Sequence, residues 1–282
     1  MYIYLNGSII NNKEAKVSVE DRGFLLGDGL FETIRAYNGK PFLLKAHLQR
    51  LYRGLERLSI TIRETGEELS GVVKRLLELN SLKDAYIRIT VTRGLCSRGI
   101  STTDCTEPTV CIVVKGFNPP DGRLYREGVQ LCFVQRPNLR IPEDADIKSL
   151  SFLNYILART EVERKGAFEG IMLNPAGHLT ECTTSNIFFV KDDIFFTPAI
   201  ETGILNGITR QTVISLLKQN GYRVVEGRFL SDDLIEADEV FITNSLIEIL
   251  PVSGIEDQKF KPPASTLKLH SLYQEMIKTE CF

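Results

Sequence analysis

The stretches YIRITVT, from Tyr86 to Thr92, and TVCIVVK, from Thr109 to Lys115, decide the class of the fold. The first alternates apolar and polar side chains and the second is a β-branched run, so both predict strands. Upstream of them, apolar residues recur at helical spacing from Lys45 to Leu58, and a second helix is predicted from Glu67 to Leu79. Helices bracketed by strands predict an α+β fold.

The N-terminal segment predicts a β-hairpin. Tyr2–Leu5 and Ser8–Ile10 flank Asn6-Gly7, a dipeptide that tolerates positive φ at both central positions of a tight turn. A glycine-rich stretch from Gly23 to Gly29 then leads into an apolar segment from Leu30 to Tyr37.

Proline, glycine and asparagine concentrate between Lys115 and Gly122, which predicts a linker. We expect an N-terminal α+β domain over residues 1–117, a linker over 118–124 and a larger, β-rich C-terminal domain over 125–282. The elements predicted in the C-terminal part are strands at Val129–Val134, Gly170–Leu173, Asn186–Val190, Ile194–Thr197 and Glu239–Thr243, and helices at Ser151–Lys165, Gly207–Gln219 and Leu267–Lys278.

Composition excludes several classes of protein. The 282 residues are 43% hydrophobic and 25% charged, with a net charge of −2, so no basic field favours a nucleic-acid partner. The apolar runs are too short to span a bilayer, so no membrane association is expected. The N-terminus lacks a basic region followed by a long apolar one, so we expect a cytoplasmic protein without a signal peptide.

The six cysteines and three histidines are scattered. No C-x-x-C pair occurs and the histidines lie far apart, so no metal site is predicted. Isolated thiols suit a reducing compartment better than a disulfide framework, and we expect most of them to be small core residues.

Two segments suit an anion. ILNGITR, from Ile204 to Arg210, places a glycine at the start of an amphipathic helix, where free backbone N–H groups and the helix dipole favour a phosphate. FITNS, from Phe241 to Ser245, runs from a strand into small amide and hydroxyl residues. Many helices begin in this way and many strands end in this way without binding a ligand, so neither segment identifies a ligand by itself.

Lys148 stands between a polar loop and an apolar helix. A single lysine is usually a solvated surface charge. A lysine that forms a Schiff base must instead be partly desolvated, so that its amine is neutral near pH 7. The residues alone therefore indicate a cytosolic α+β enzyme with a candidate phosphate site.

Taken together in their order, the motifs resemble the class IV aminotransferases, the fold type IV enzymes that use pyridoxal 5′-phosphate (PLP). This family includes D-amino-acid transaminases, branched-chain transaminases and aminodeoxychorismate lyases. The motifs that carry the resemblance are DRGFLLGDGLFET from Asp21, AHLQRL from Ala46, IKSL from Ile147, TECTTSNIF from Thr180, GITR from Gly207, ITNS from Ile242 and IEILPV from Ile247.

The resemblance implies roles for two catalytic residues. Lys148 looks like the lysine that forms the Schiff base with PLP and moves the proton at the reacting carbon. Glu181 looks like the carboxylate that faces the pyridine nitrogen and keeps it protonated, so that the ring accepts electrons. Since both residues are present, a non-catalytic member of the fold is disfavoured.

The remaining cofactor contacts follow from the same resemblance. Arg50 looks like the phosphate clamp, because a guanidinium fork suits a phosphate, although it also lies with Arg53 and Arg57 on a helix face that is typical of a solvated basic surface. The other residues expected to bind the cofactor are Leu205 against the ring, and Ile208, Thr209, Asn244 and Ser245 around the phosphate.

The substrate site is predicted from TRGLCSR, from Thr92 to Arg98, which resembles the carboxylate-gripping loop of D-amino-acid transaminases. Arg98 is the expected ligand of the substrate carboxylate, with Arg93 as the second candidate. Ile100 stands where the D-specific enzymes carry a histidine, and Phe31 replaces a tyrosine that helps bind the carboxylate. Arg35, in the FETIR motif that resembles branched-chain enzymes, is a further candidate.

These similarities leave two reactions open. The first is transamination between a D-amino acid or a branched-chain L-amino acid and a 2-keto acid. The second is the aminodeoxychorismate lyase reaction, which releases pyruvate and 4-aminobenzoate, because TNSLIEILP and SRGIS are similar to those lyases. Members of the family are at least homodimers, so a homodimer is expected here.

Overall fold

In a computed structural model of the chain, residues 1–96, 99–260 and 263–282 are described. The chain divides into two compact units. The first unit contains residues 1–118, 146–152 and 277–282, and the second contains residues 119–145 and 153–276. Lys148 therefore belongs to the unit that begins the chain.

The first unit is built on a six-stranded antiparallel sheet in the order β2-β1-β6-β5-β3-β4. Its elements are β1 (Tyr2–Leu5), β2 (Ser8–Asn11), α1 (Arg22–Leu26), β3 (Gly29–Tyr37), β4 (Lys40–Pro41), α2 (Leu44–Arg57), α3 (Gly66–Leu79), β5 (Ala85–Leu95) and β6 (Glu107–Gly116).

The N-terminal hairpin is confirmed. β1 and β2 pair in register from Leu5 with Ser8 outward, and the turn residues Asn6 and Gly7 have φ of 45° and 90°. Both angles lie in the left-handed region, which asparagine and glycine adopt most readily. The turn chemistry of two residues thus sets the register of the whole hairpin.

The two faces of the first sheet differ in chemistry. Ile87 and Ile89 of β5 are fully buried in a core that α2 and α3 cover, as the alternation of the strand predicted. Arg88 and Thr90 alternate with them in sequence and so point to the opposite face. Cross-strand pairing puts Phe31 of β3 opposite Thr90 on that face.

The segment around Lys148 continues this sheet beside β3. The Phe31 N–H donates to the Lys148 carbonyl at 2.9 Å, and the Leu150 N–H donates to the Gly29 carbonyl at 2.9 Å. Ser149 bridges to Leu30 as in an antiparallel pair. A Cβ on Gly29 would lie 2.3 Å from the Val91 carbonyl oxygen, so only glycine allows the strands to approach this closely.

The sequence favoured free thiols over disulfides, and this expectation was wrong for one pair of cysteines. Cys96 and Cys105 form a disulfide, with their Cα atoms 4.3 Å apart. The reason is the pairing of Leu95 at the end of β5 with Glu107 at the start of β6, which brings the two flanking cysteines together. Cys111, Cys132, Cys182 and Cys281 are free thiols.

The second unit contains a mixed sheet of nine strands, in the order β12-β11-β10-β13-β14-β7-β8-β9 with β15 paired to β14. Its strands are β7 (Val129–Phe133), β8 (Glu169–Leu173), β9 (Leu179–Cys182), β10 (Asn186–Lys191), β11 (Ile194–Pro198), β12 (Val224–Gly227), β13 (Glu239–Asn244), β14 (Glu248–Ile255) and β15 (Gln258–Lys259). Its helices are α4 (Gly122–Glu127), α5 (Leu153–Arg164), α6 (Ile208–Gln219), α7 (Ser231–Ile235) and α8 (Ala264–Cys281, whose last residues belong to the first unit).

The α+β class predicted from the sequence is confirmed in both units. The strands predicted at Gly170–Leu173, Asn186–Val190 and Glu239–Thr243 correspond to β8, β10 and β13. Within the described part of the chain, no helix combines the length and the apolar character needed to cross a membrane.

Candidate active site

Lys148 lies beside an aromatic ring on the face of the first sheet opposite α2 and α3. Its Nζ is 4.7 Å from the centroid of the Phe31 ring, and the guanidinium carbon of Arg88 is 3.8 Å from the same centroid. The Phe31 ring also meets Phe152 edge to face, with centroids 5.3 Å apart. Two cations and an apolar platform therefore meet at one place, where an amine is partly shielded from water and an anion is attracted.

Arg50 is buried with Glu32 and His47 in the same unit. Its Nε and Nη2 donate to the two Glu32 carboxylate oxygens at 2.8 and 2.7 Å, and the His47 ring Nδ1 donates to Glu32 at 2.7 Å. The paired guanidinium hydrogen bonds that were predicted for a phosphate are thus made to Glu32. Arg50 would therefore attract an anion by its positive charge rather than by a bidentate hydrogen bond.

This buried cluster has strongly perturbed acidity. Burial alone would raise the pKa of Glu32, but the charge of Arg50 and the hydrogen bonds from His47 and Arg50 outweigh it and lower the pKa to about 2. Burial lowers the pKa of His47, and the charges of Arg50 and Lys148 lower it further, against the opposing pull of Glu32. Glu32 is therefore ionised and His47 neutral at pH 7, and Lys148 acts electrostatically on this cluster.

Replacing Glu32 by glutamine should lower the free energy of unfolding by about 3–5 kcal/mol, because it leaves Arg50 buried without its counter-charge. Urea denaturation followed by circular dichroism measures this loss. Glu78→Gln is the matched control, since Glu78 pairs with Arg75 at 3.1 Å on the surface, with both side chains more than half exposed. That control should lose at most about 1 kcal/mol.

The difference in the free energy of unfolding between wild type and Glu32→Gln should also depend on pH. The Glu32 pKa is 4.5 in its ordinary state and about 2 in the folded protein, so its contribution to stability is complete above pH 4.5 and disappears as the pH falls toward 2. The stability gap should consequently narrow on acidification from about pH 6 to about pH 3. A gap that stayed constant would show that Glu32 is not the titrating group.

The arginines expected to bind substrate have different surroundings. Arg35 is buried with its guanidinium carbon 4.3 Å over the Tyr37 ring and 5.0 Å over the Phe117 ring, four residues along β3 from Phe31. Arg93 donates to Asp28 at 2.8 Å and to the Leu58 carbonyl at 2.9 Å, so the fold itself uses its donors. Arg98 lies outside the described residues.

Arg22 fixes the loop that follows Arg98. Its Nη1 donates to the carbonyls of Gly99 at 2.9 Å and Ser101 at 3.1 Å, while its Nε donates to Asp28 at 2.8 Å. Ile100 is 87% exposed in this loop. The Cys96–Cys105 disulfide closes the same loop at its base.

Glu181 is a buried acceptor in the second unit. Tyr155 donates its hydroxyl to Glu181 Oε1 at 3.0 Å, and the Leu205 N–H donates to Oε2 at 2.8 Å. The Asn186 side chain approaches Oε2 at 3.5 Å and donates to the Leu205 carbonyl at 2.9 Å. α5, β10 and the loop before α6 thus each supply a contact that fixes this carboxylate.

Arg140 balances the negative charge of Glu181. Its Nε is 3.6 Å from Glu181 Oε1, and its Nη2 donates to the Tyr155 hydroxyl at 3.2 Å. Burial and the charge of Glu181 raise the pKa of Tyr155, so its hydroxyl remains a donor at all ordinary pH values. Burial would lower the pKa of Arg140, but Glu181 and Tyr155 reverse the effect and raise it.

The start of α6 is an anion-binding geometry. Gly207 is the N-cap and provides no side-chain cap, so Ile208 and Thr209 begin the helix with backbone N–H groups in its first turn. A Cβ on Gly207 would lie 2.1 Å from the Asn186 side-chain oxygen, so the glycine allows the chain to pass next to Asn186. Asn186 therefore lies against both the start of the helix and the Glu181 carboxylate.

Of the predicted phosphate residues, Asn244 ends β13 and Ser245 follows it. The Asn244 side-chain oxygen accepts from the N–H groups of Leu246 and Ile247, both at 2.9 Å, and its Nδ2 donates to the Thr184 carbonyl at 3.3 Å. The Asn244 side chain therefore shapes the turn that carries Ser245.

The polar groups described in the second unit fit a flat ligand with a ring nitrogen and a phosphate. The chain from Leu205 to Gly207 joins the amide that holds Glu181 to the uncapped helix start. A carboxylate suits a protonated ring nitrogen, and the helix start suits a phosphate. In the first unit, the amine of Lys148 suits a carbonyl group.

Four residues in these surroundings were missed by the sequence interpretation: Arg88, Arg140, Tyr155 and Asn186. Arg88 had a local signal, because it occupies a polar position of the alternating strand YIRITVT. Asn186 belongs to the quoted TECTTSNIF motif. Arg140 and Tyr155 have no local signal, since only the tertiary fold brings them to Glu181.

Comparison with known proteins gives consistent results. The family model of amino-transferase class IV matches residues 29–255. A Methanocaldococcus jannaschii protein, itself only provisionally assigned as a branched-chain-amino-acid aminotransferase, is 43% identical over 91% of this chain and 88% of its own length. The aminodeoxychorismate lyase of Bacillus subtilis is 36% identical over 98% of this chain and 94% of its own.

Two further matches bear on stereochemistry and cofactor. The D-alanine aminotransferase of Listeria monocytogenes is 35% identical and covers 100% of this chain and 98% of its own. The solved T.th. branched-chain amino acid aminotransferase with pyridoxamine 5′-phosphate has a TM-score of 0.91 and 29% identity, covering 98% of this chain and 93% of its own.

Proposed function

Because the chain belongs to the class IV aminotransferases, we propose that it uses PLP to move an amino group from an amino acid to a 2-keto acid. The observation that carries the proposal is Glu181, a buried carboxylate held 2.8 Å from the amide of Leu205, just before an uncapped helix start. This combination of a fixed acceptor and an anion site suits the two ends of PLP.

When bound, PLP supplies an electron sink for the charge that develops at the substrate Cα. Lys148 would hold the cofactor covalently through its amine and, once released, carry the proton to and from the substrate Cα. Glu181, oriented by Tyr155 and Leu205, would hold a proton on the ring nitrogen. Ile208, Thr209, Asn244 and Ser245 would bind the phosphate, with Leu205 against the ring and the charge of Arg50 adding attraction.

The substrate carboxylate needs a cation. We propose Arg98 for this role and add Arg88, whose guanidinium shares the Phe31 ring with Lys148. Arg93 is set aside because Asp28 and the Leu58 carbonyl already engage it. Arg35 is kept as a weaker candidate, since its guanidinium contacts the rings of Tyr37 and Phe117.

Two classes of donor are proposed for the transaminase, D-amino acids and branched-chain L-amino acids. The relatives support both, since they include D-alanine aminotransferases and branched-chain enzymes. Ile100 weakens the D-specific alternative, because it replaces a histidine with an apolar side chain that is exposed.

The lyase reaction is the second candidate, because a named aminodeoxychorismate lyase covers nearly the whole chain at 36% identity. It would use the same Lys148 and Glu181 and differ only in releasing pyruvate and 4-aminobenzoate. The two candidates therefore divide on substrate and product, and both need PLP.

The deciding experiment follows the absorbance of the PLP-loaded protein on separate addition of D-glutamate, D-alanine, L-leucine and L-glutamate. Loss of the visible band, with formation of the amine form of the cofactor, identifies a transaminase and the donor that works. If every donor leaves the band unchanged while aminodeoxychorismate yields pyruvate, the chain is the lyase. A protein that stays colourless with PLP would contradict both.

A homodimer is proposed on the basis of an exposed apolar helix. Phe24, Leu25 and Leu26 are consecutive residues of α1 and are 73%, 59% and 49% exposed, and exposed apolar surface is typical of an interaction site. Four of the cysteines are free thiols, so the cytoplasm remains the proposed compartment, with the Cys96–Cys105 disulfide as an exception.

The variant Phe24→Asp should shift the protein from dimer to monomer, because it puts a charge into the apolar contact. Light scattering after gel filtration should give twice 31.8 kDa for wild type and 31.8 kDa for the variant. Leu230→Asp, at an exposed apolar residue outside α1, is the control and should stay dimeric. A wild-type mass of one chain would contradict the proposal.

A further inference from the structure

Glu169 is a buried carboxylate to which the proposed reaction assigns no role. It begins β8 and is 2% exposed. Its oxygens accept from the hydroxyls of Thr183, Thr184 (2.6 Å) and Ser185 (3.2 Å), and from the N–H groups of Thr184 and Gly170, both at 3.1 Å. A basic group, Arg159, approaches from the surface, with Nη1 at 3.9 Å from Oε1 and its side chain 40% exposed.

Most of these donors come from one turn. Thr183, Thr184 and Ser185 join β9, which carries Glu181, to β10, which begins at Asn186. Burying a carboxylate is costly, and this one is satisfied mainly by neutral donors of a single turn. A carboxylate with this set of partners fixes the conformation of the turn more narrowly than an apolar side chain would.

The same turn contacts the residues proposed for phosphate. The Thr184 carbonyl accepts from Asn244 Nδ2 at 3.3 Å. The oxygen of the same Asn244 side chain holds Leu246 and Ile247, and so shapes the segment that includes Ser245. A continuous series of hydrogen bonds therefore runs from Glu169 through Thr184 to Asn244.

We propose that Glu169 is a positioning residue for the cofactor phosphate and acts through Thr184 on the Asn244–Ser245 turn. This inference rests on the proposed function, since it assumes that the chain binds PLP at that turn. Glu169 itself does not touch the ligand. Its loss should weaken the contribution of the phosphate to binding while leaving the contribution of the ring unchanged.

The test compares PLP with pyridoxal, which has the same ring and no phosphate. Dissociation constants of both are measured by absorbance titration of the cofactor-free protein. Glu169→Gln should weaken PLP binding about tenfold or more, because a displaced Asn244–Ser245 turn would lose hydrogen bonds to the charged phosphate. It should change pyridoxal binding by less than about twofold. A general loss of stability would weaken the binding of both ligands equally, so it would leave the ratio of their affinities unchanged.

Glu239→Gln is the matched control. Glu239 is also a buried carboxylate of the second unit, and it accepts from the N–H groups of Ser265 and Thr266 at 2.9 Å and from the Thr266 hydroxyl at 2.8 Å. Its partners lie at the start of α8, away from the Thr183–Ser185 turn in sequence. This variant should leave the ratio of PLP to pyridoxal affinity unchanged.

Thr184→Val keeps the test decisive if Glu169→Gln does not fold. It removes one hydroxyl donor at nearly constant volume and should weaken PLP binding about threefold, with pyridoxal unaffected. Equal losses for both ligands, or no loss, in a chain that binds PLP would overturn the inference alone. A wild-type chain that binds neither ligand would overturn the proposed function and this inference with it.

Discussion

Replacing Lys148 by alanine is expected to remove the colour of the PLP-loaded protein and to reduce turnover by about 10⁵-fold or more, the scale of losing a group that acts covalently. The amine is the only group that the proposal assigns to covalent attachment. Its surroundings suit this role, because the Phe31 ring lies 4.7 Å from Nζ and shields it from water. The measurement is an absorbance spectrum followed by a transaminase assay.

Lys165→Ala is the control for the Lys148 variant. Lys165 pairs with Glu256 at 3.0 Å on the surface of the second unit, with its side chain 46% exposed. This variant should keep both the colour and the activity. A coloured and active Lys148→Ala protein would contradict the assignment of Lys148, and the search for the attachment site would move to another lysine.

Replacing Glu181 by glutamine is expected to slow turnover about 10²-fold or more, while the affinity for PLP changes by less than about tenfold. An amide retains the hydrogen bond from Leu205 at one position but cannot stabilise a proton on the ring nitrogen as a carboxylate does. The loss should therefore appear in kcat and in the rate of proton removal, measured with Cα-deuterated substrate.

The control for Glu181→Gln is again Glu239→Gln, because both carboxylates are buried in the same unit and each accepts a backbone N–H. It should show ordinary kinetics. Unchanged kinetics in the Glu181 variant would mean that another carboxylate faces the ring. An equal fall in kcat for both variants would indicate a general loss of stability.

Local chemistry explains what the sequence predicted correctly. The Asn6-Gly7 turn fixes its hairpin through two positive φ angles, and α2 follows from an apolar face repeated at helical spacing. The alternation of β5 likewise separates a buried face from a polar one. Each of these signals lies within one element, so no tertiary information is needed.

The contacts that the sequence did not reveal join distant segments. Lys148 pairs with β3 more than 100 residues earlier in the chain, and Tyr155 reaches Glu181 across 26 residues. The Cys96–Cys105 disulfide depends on the register of β5 with β6. Arg50 was assigned from its motif, but its engagement by Glu32 depends on the packing of α2 on β3. Periodicity and spacing carry no information about such pairings.

The first unit is discontinuous in sequence, and this has a consequence for synthesis on the ribosome. Its sheet gains the segment around Ser149 beside Leu30, and Cys281 near the C-terminus reaches the Lys40 carbonyl with its thiol at 3.8 Å. The nascent N-terminal half therefore cannot complete its fold until residues 146–152 and 277–282 have been made. A truncated gene product ending near residue 118 would expose the β3 edge that residues 146–152 cover, and we expect it to be a target for chaperones and proteases.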